Sequence, residues 1–472
     1  GLAISGGTSS SYDVKSLKIV SNYNSDNKFD VLLTDNVPEA SEYSVLNAYN
    51  NIKLRAGSQD REQGNIRSAV VSKLSEQSNF DGCSITRRAI VYLNGEFYGI
   101  FDMQEGSYNS TLAKKYGIVD NSKIEKVKGN EKTVLDYIKA TELFENDLTI
   151  QENREKLEDY IDMDNYLLYY AIEILINNKD WSINNYQVWR YTGDPEQNNK
   201  YTDGRYRFLI YDTDISFYTL NNIKYFPDVG EDILINLLEK EKRGMYTHFD
   251  NVMKSEYYKN KFITLVSDLL NTSFKKENVI SVIDGEYEKI RNENQIQFSE
   301  EINEKNDYYI NEMKNAAEER DESIVNILKE YFGVDKKYNF KIGCTEGLKI
   351  YWNNINLYDN ETYSNSYYYD INFVINQNAN PGYKFSHWIV NGEEIYSSEL
   401  EITNDLIENG EIQINAVVEK DESTELIISE ISAKSASDWI KLYNASDRII
   451  NLNKYFITDD VNKLGKYQLP NI

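Results

Sequence analysis

The chain has 472 residues, a formal net charge of −26, two cysteines and two histidines. That acidity excludes a nucleic-acid binder, which needs clustered Lys and Arg against phosphates, and disfavours an anionic membrane surface. His248 and His387 alone are too few for a His-rich zinc site and disfavour a Ser-His-Asp triad, so acid–base chemistry is expected to rest on carboxylates. Cys83 and Cys344 lie far apart and read as two isolated buried thiols, with a disulfide as the alternative. No run of 18 apolar residues occurs, so no helix is expected to span a membrane. The 39 tyrosines offer apolar area with a polar tip.

Residues 1–50 mix Ser, Asn and Asp with short apolar runs and read as one or two strands. Ile66, Val70 and Leu74 share one helical face. Asn94-Gly95 lies between two β-rich runs, 88–93 and 96–101, and predicts a two-residue type I′ hairpin. A helix is expected near 108–116, and 131–178 reads as mostly helical. In that stretch Asp164 is the expected cap of a helix carrying Leu167, Leu168, Ala171 and Leu175 and ending near Asn177. A short strand follows over 205–211. Residues 231–332 read as helical, with solvated charged faces. From about 338 the pattern turns to strands, and Asn391-Gly392 marks another hairpin. Linkers are expected near 333–338 and 419–425.

Two segments carry the chemistry. The first is Asn177-Asn178-Lys179-Asp180-Trp181-Ser182-Ile183-Asn184-Asn185, after an apolar helix. The second is Arg207-Phe208-Leu209-Ile210-Tyr211-Asp212-Thr213-Asp214, an apolar strand delivering two acids at its end. Phosphoryl transfer needs carboxylates to hold a hard divalent cation against a triphosphate, and another to orient the attacking hydroxyl. In protein kinases that Asp has a metal-binding Asn five residues on. Asp180 and Asn185 have this offset, and Asp212 ends the next apolar strand. Asp and Asn are also turn formers, so a structural loop is the competing explanation.

Residues 53–217 resemble the CotH (spore-coat protein H) kinase family. The resemblance rests on Leu54-Arg55-Ala56-Gly57-Ser58, on Arg67, on the stretch from Tyr92-Leu93-Asn94-Gly95 through Gln104-Glu105, and on the two acidic segments. It implies an α+β, atypical protein-kinase-like domain of two lobes over 1–332 that uses ATP with Mg²⁺ or Mn²⁺ to phosphorylate Ser or Thr on a coat or surface protein. Position by position, Asp180 is the implied catalytic base, and Asn185, Asp212 and Asp214 the implied metal ligands. Glu105 is the implied partner of a phosphate-binding cation, for which Arg55, Arg67 and Arg88 are candidates. The sequence departs from the family pattern at Gln104, at Ser182-Ile183 and at Ile215-Ser216-Phe217. Location at the spore surface or outside the cell follows from the same resemblance.

Two small all-β modules are expected next. Residues 338–420, with Pro381-Gly382-Tyr383 and His387-Trp388, resemble β repeats of bacterial surface proteins, and Trp388 reads as a core anchor. Residues 425–472 resemble the start of a lamin-tail-type sandwich, in Ile428-Ser429-Glu430-Ile431 and Trp439-Ile440-Lys441-Leu442. A catalytically silent scaffold and a carbohydrate-binding surface protein are the alternatives to a kinase.

Overall fold

The computed structural model describes the chain except residues 7, 22–28, 31–47, 107, 129–134, 182–184, 197–198, 220–231, 240–245, 381, 422–424, 433–438, 447, 460–462 and 471–472. The backbone forms two compact units, Gly1–Asp335 and Lys336–Ile472.

The first unit opens with β1 (Leu2–Ser5) and β2 (Ser16–Val20), a short antiparallel pair β3 (Phe29–Asp30) and β4 (Ala48–Tyr49), and β5 (Asn51–Arg55). Helix α1 (Arg67–Gln77) precedes β6 (Thr86–Leu93) and β7 (Glu96–Glu105). These build a five-stranded antiparallel sheet in the order β1-β2-β5-β7-β6. The expected hairpin joins β6 to β7. Asn94 and Gly95 both have positive φ, at 53° and 88°, as a type I′ turn requires. On β5 the side chains alternate, so Ile52 and Leu54 enter an apolar cluster with Leu17 and Phe101 while Lys53 and Arg55 take the other face. Gly57, after β5, has φ 94°, and a side chain there would collide with Asn65.

Next come α2 (Asn109–Lys115), β8 (Ile124–Lys128), α3 (Leu135–Glu142), α4 (Gln151–Glu158), α5 (Met163–Leu175), β9 (Tyr186–Tyr191) and β10 (Arg207–Ile210). The last two strands pair with β8 in a three-stranded antiparallel sheet, order β10-β9-β8. Strand β8 was not expected, because Ile124-Glu125-Lys126-Val127-Lys128 carries more charge than apolar signal. The cap of α5 is Asp162, whose carboxylate accepts from Asn165 N at 3.1 Å. Asp164 instead sits in the first turn and pairs with Lys261, a correction of two residues. Helix α5 is buried almost all round. Tyr166 and Tyr169 pack on Phe208 of β10 with ring centroids 5.4 and 5.3 Å apart. Much of the tyrosine content is therefore core; the Tyr169 hydroxyl accepts from Trp181 Nε1 at 2.7 Å, while the Tyr166 hydroxyl is buried with no hydrogen-bond partner among the described residues.

Helices α6 (Ile233–Glu239), α7 (Tyr246–Lys254), α8 (Glu256–Asn271), α9 (Lys276–Glu288), α10 (Arg291–Gln297) and α11 (Glu300–Phe332) complete the unit. The Ser299 hydroxyl caps α11, and Gly333 ends it with φ 68°. Both cysteines are free thiols.

The second unit holds two main sheets. One orders Thr362–Tyr368, Lys337–Gly343, Glu411–Lys420, Tyr383–Val390 and Glu393–Ile395; the other orders Ile355–Leu357, Leu348–Trp352, Phe373–Ala379 and Leu400–Ile402. Phe340, Ile414 and Trp388 of the first share a core with Ile350, Trp352 and Ile375 of the second. Trp388 is fully buried and donates from Nε1 to the Ser397 carbonyl at 3.1 Å. Asn391 and Gly392 again have positive φ between paired strands. A separate antiparallel pair, Leu426–Ser432 with Trp439–Asn444, follows.

Candidate functional site

The two acidic segments lie side by side. Lys179 N donates to the Ile215 carbonyl at 2.9 Å, and Phe217 N to the Ile176 carbonyl at 2.7 Å. Side chains add to this backbone zipper. Asn177 Nδ2 donates to the Tyr218 carbonyl at 3.3 Å. Asn178 Nδ2 donates to Glu173 Oε2 at 2.9 Å and lies 3.5 Å from the Asp212 carbonyl. Trp181 is buried and donates from Nε1 to the Tyr169 hydroxyl at 2.7 Å, which fixes the loop to α5.

Asp180 stands on the solvent side of this loop. Its Oδ2 accepts from Asn185 Nδ2 at 2.9 Å, and the same amide donates to the Asp180 carbonyl. Partial burial, then the charge of Asp212, pushes the Asp180 carboxyl above its usual range. Asp180 and Asp212 thus share one electrostatic neighbourhood. Of the loop itself, Ser182-Ile183-Asn184 fall outside the described residues.

Asp212 follows β10 with φ 60°, an uncommon backbone state that turns the chain sharply after the strand. Arg55, arriving on β5, donates from Nη2 to Asp212 Oδ1 at 2.8 Å and also pairs with Asp214. Burial opposes the charge on Arg55, but the two carboxylates outweigh it and hold the guanidinium firmly protonated. Asp214 is 2% exposed. Apart from the Arg55 ion pair, neither of its carboxylate oxygens meets a hydrogen-bond donor among the described residues. Burial pushes its carboxyl well above the usual range, with Arg55 pulling it back.

Arg67 and Arg88 do not join Arg55. Arg67 is fully buried, pairs with Asp60, and donates from Nε to the Ser216 carbonyl at 2.7 Å and from Nη1 to the Gln63 carbonyl at 2.8 Å. It ties the start of α1 to the segment after Asp214. Arg88 pairs with Asp102 and donates to the Asn65 carbonyl. Glu105 pairs at 2.8 Å with Lys115 of α2, not with any of the three arginines.

Three residues of this neighbourhood were not singled out from sequence. Lys53 shares the Arg55 face of β5; burial and the Arg55 charge push its ammonium down to about 8. Lys128, at the end of β8, has its Nζ 5.7 Å from the centre of the Tyr211 ring, with Lys53 at 6.0 Å from the same ring. Glu173 is buried inside the apolar run of α5, and burial raises its carboxyl to about 8. A lone Glu within Leu-Leu-Tyr-Tyr-Ala-Ile-Glu-Ile-Leu was the available signal for it.

Asp180, Asp212 and Asp214 supply carboxylate oxygens and Asn185 an amide oxygen, with no sulfur or imidazole, a donor set that suits Mg²⁺ or Mn²⁺. The undersupplied oxygens of Asp214 fit a cation in the same way. Among the described residues no three His, Cys, Asp or Glu side chains form a complete ligand cluster, so an ion here would draw on Asn185, water or ligand phosphates.

No curated protein matches the chain. Among solved structures, the proinflammatory kinase CtkA of Helicobacter pylori aligns at 10% identity over 58% of this chain and 92% of that one, with a TM-score of 0.27. HipA of the Shewanella oneidensis MR-1 toxin–antitoxin system, in complex with HipB and operator DNA, aligns at 12% over 66% of each chain, with a TM-score of 0.24. At such scores these likenesses carry no argument. The CotH kinase protein family, by contrast, matches residues 2–324, well over half of the sequence, and the chain belongs to that family.

Proposed function

We propose that this CotH-family protein transfers phosphate from ATP, with Mg²⁺ or Mn²⁺, to Ser or Thr of a spore-coat or cell-surface protein. The observation that carries the reading is the convergence of Lys53, Arg55, Asp180, Asp212 and Asp214 where the loop after α5 lies against the turn after β10.

In this reading Asp180 accepts the proton of the acceptor hydroxyl and aligns it for in-line attack. Its raised carboxyl affinity for protons suits that task. Asn185 holds Asp180 in place and, with Asp212 and Asp214, would hold the divalent ion. The ion would neutralise charge on the phosphate oxygens. Lys53 offers a shielded cation toward the same oxygens, and Arg55 keeps the two acids aligned. The expected two-lobed arrangement fits the two sheets of the first unit: Lys53 and Arg55 come from a strand of one, Asp212 and Asp214 from the turn that leaves the other. The all-β modules over 338–420 and 425–472 serve as spacers or surface-binding parts, and the spore surface or cell exterior is the proposed location.

A second reading, a silent scaffold, draws on the same ion pairs, because Arg55 already pairs with both acids without an ion. Transfer of radiolabel from γ-labelled ATP to coat-protein extracts, with manganese or magnesium, decides between them. Wild-type labelling that disappears in Asp180→Ala supports the kinase. Equal, background labelling in both proteins leaves the scaffold.

A further inference from the structure

Strand β8 breaks the charge balance of the chain. Lys126 and Lys128, two apart, project from one face, while Glu125 projects from the other and is engaged by Arg190 at 2.9 Å and the Tyr206 hydroxyl at 2.6 Å. Glu125 is thus held on the opposite face of the strand. Lys128 reaches Tyr211, the residue before Asp212. From the other sheet, Lys53 reaches the same ring. Two ammonium groups delivered by separate sheets thus converge within 6.0 Å of the centre of one aromatic ring, in a chain whose net charge is −26.

Converging like charges repel, and more so where water is thinned out. The two nearby carboxylates, Asp212 and Asp214, are engaged by Arg55. Burial lowers the proton affinity of both Lys53 and Lys126, and the charge of Lys128 adds to each effect. An anion with several oxygens beside Tyr211 would relieve this repulsion by meeting both ammonium groups.

We infer that Lys128, backed by Lys126, and Lys53 form a clamp beside Tyr211 for the phosphate oxygens of a polyphosphate ligand, a nucleoside triphosphate or free tripolyphosphate. The inference rests on the proposed kinase reading for the choice of nucleotide, and assigns to β8 a phosphate grip that the acidic motifs do not contain.

The test is calorimetric titration of the full chain with Mg-ATP and, separately, with magnesium tripolyphosphate, for wild type, Lys128→Met and Lys128→Arg at several salt concentrations. Loss of one charge-assisted contact predicts about a tenfold weaker affinity for both ligands in Lys128→Met. The salt dependence should also become shallower, and Lys128→Arg should retain most of the affinity. Lys128 is exposed, so all three proteins should melt alike. Equal affinities for wild type and Lys128→Met overturn the clamp, as does a wild type that binds neither ligand. If tripolyphosphate binds and depends on Lys128 while no label is ever transferred from ATP, the clamp stands and the kinase reading alone fails.

Discussion

Arg55 Nη2 lies 2.8 Å from Asp212 Oδ1, and this ion pair joins a strand of the five-stranded sheet to the turn that leaves the three-stranded one. The same guanidinium pairs with the more deeply buried Asp214. Removing it would strand a buried carboxylate.

Arg55→Ala should therefore destabilise the protein by about 3–5 kcal/mol, the range for breaking a buried pair by removing one partner. Arg55→Met combined with Asp214→Asn should recover much of that loss, because the carboxylate left without Arg55, that of Asp212, is the partly exposed one. Urea melts of the single and double variants check this. A double variant no more stable than Arg55→Ala would mean the pair is not the source of the loss.

Asp180 is exposed and bonded chiefly to Asn185, so Asp180→Ala should fold normally. Its phosphate transfer should fall by about 10²–10⁴-fold, the range for losing a general base. Initial rates of label transfer at saturating Mg-ATP measure it. Nucleotide affinity should change little.

Arg67 makes its bonds to Asp60, Gln63 and Ser216 and stacks 4.7 Å from the Tyr218 ring centre. Arg67→Met should cost about 3–5 kcal/mol of stability through the buried Asp60 left behind. If the residue only holds the segment after Asp214, variant protein that remains folded at low temperature keeps the wild-type affinity for Mg-ATP. A large rise in Kd without a loss of melting temperature would return Arg67 to the ligand.

Glu173 gives a pH signature. Burial raises its carboxyl from the ordinary 4.5 to about 8. The folded state binds the proton more tightly than the unfolded one, so its contribution is full below about pH 4.5 and is lost as pH rises through about 8. Glu173→Gln keeps an acceptor for Asn178 and carries no charge. The wild-type melting temperature should fall relative to that of the variant across this window. Parallel curves would show that Glu173 does not titrate as the fold implies.

Asp212 and Asp214 should couple metal to stability. Mn²⁺ at about 100 times its Kd adds about 2.7 kcal/mol to the folded state. Thermal melts should shift up with Mn²⁺, return with chelator, and stay unchanged in Asp212→Asn/Asp214→Asn. A shift of equal size in that variant would place the ion elsewhere.

Local features were readable along the chain. The Asn94-Gly95 turn follows from two residues able to hold positive φ between β-rich runs, and α11 from a long amphipathic pattern ended by Gly333. The acidic segments were legible because their residue types and spacing are set by chemistry, and the family membership followed from them. Which charges face which emerges from the folded arrangement. Arg55, Arg67 and Arg88 look alike along the chain, yet only the first meets Asp212 and Asp214, while Arg67 bolts a turn and Arg88 holds Asp102. Strand β8 and its lysines were hidden because a charged five-residue strand has almost no periodic signal, and its place is set by pairing with β9. Ion pairing depends on distances between segments that fold together from far apart, and one-dimensional spacing carries no record of them.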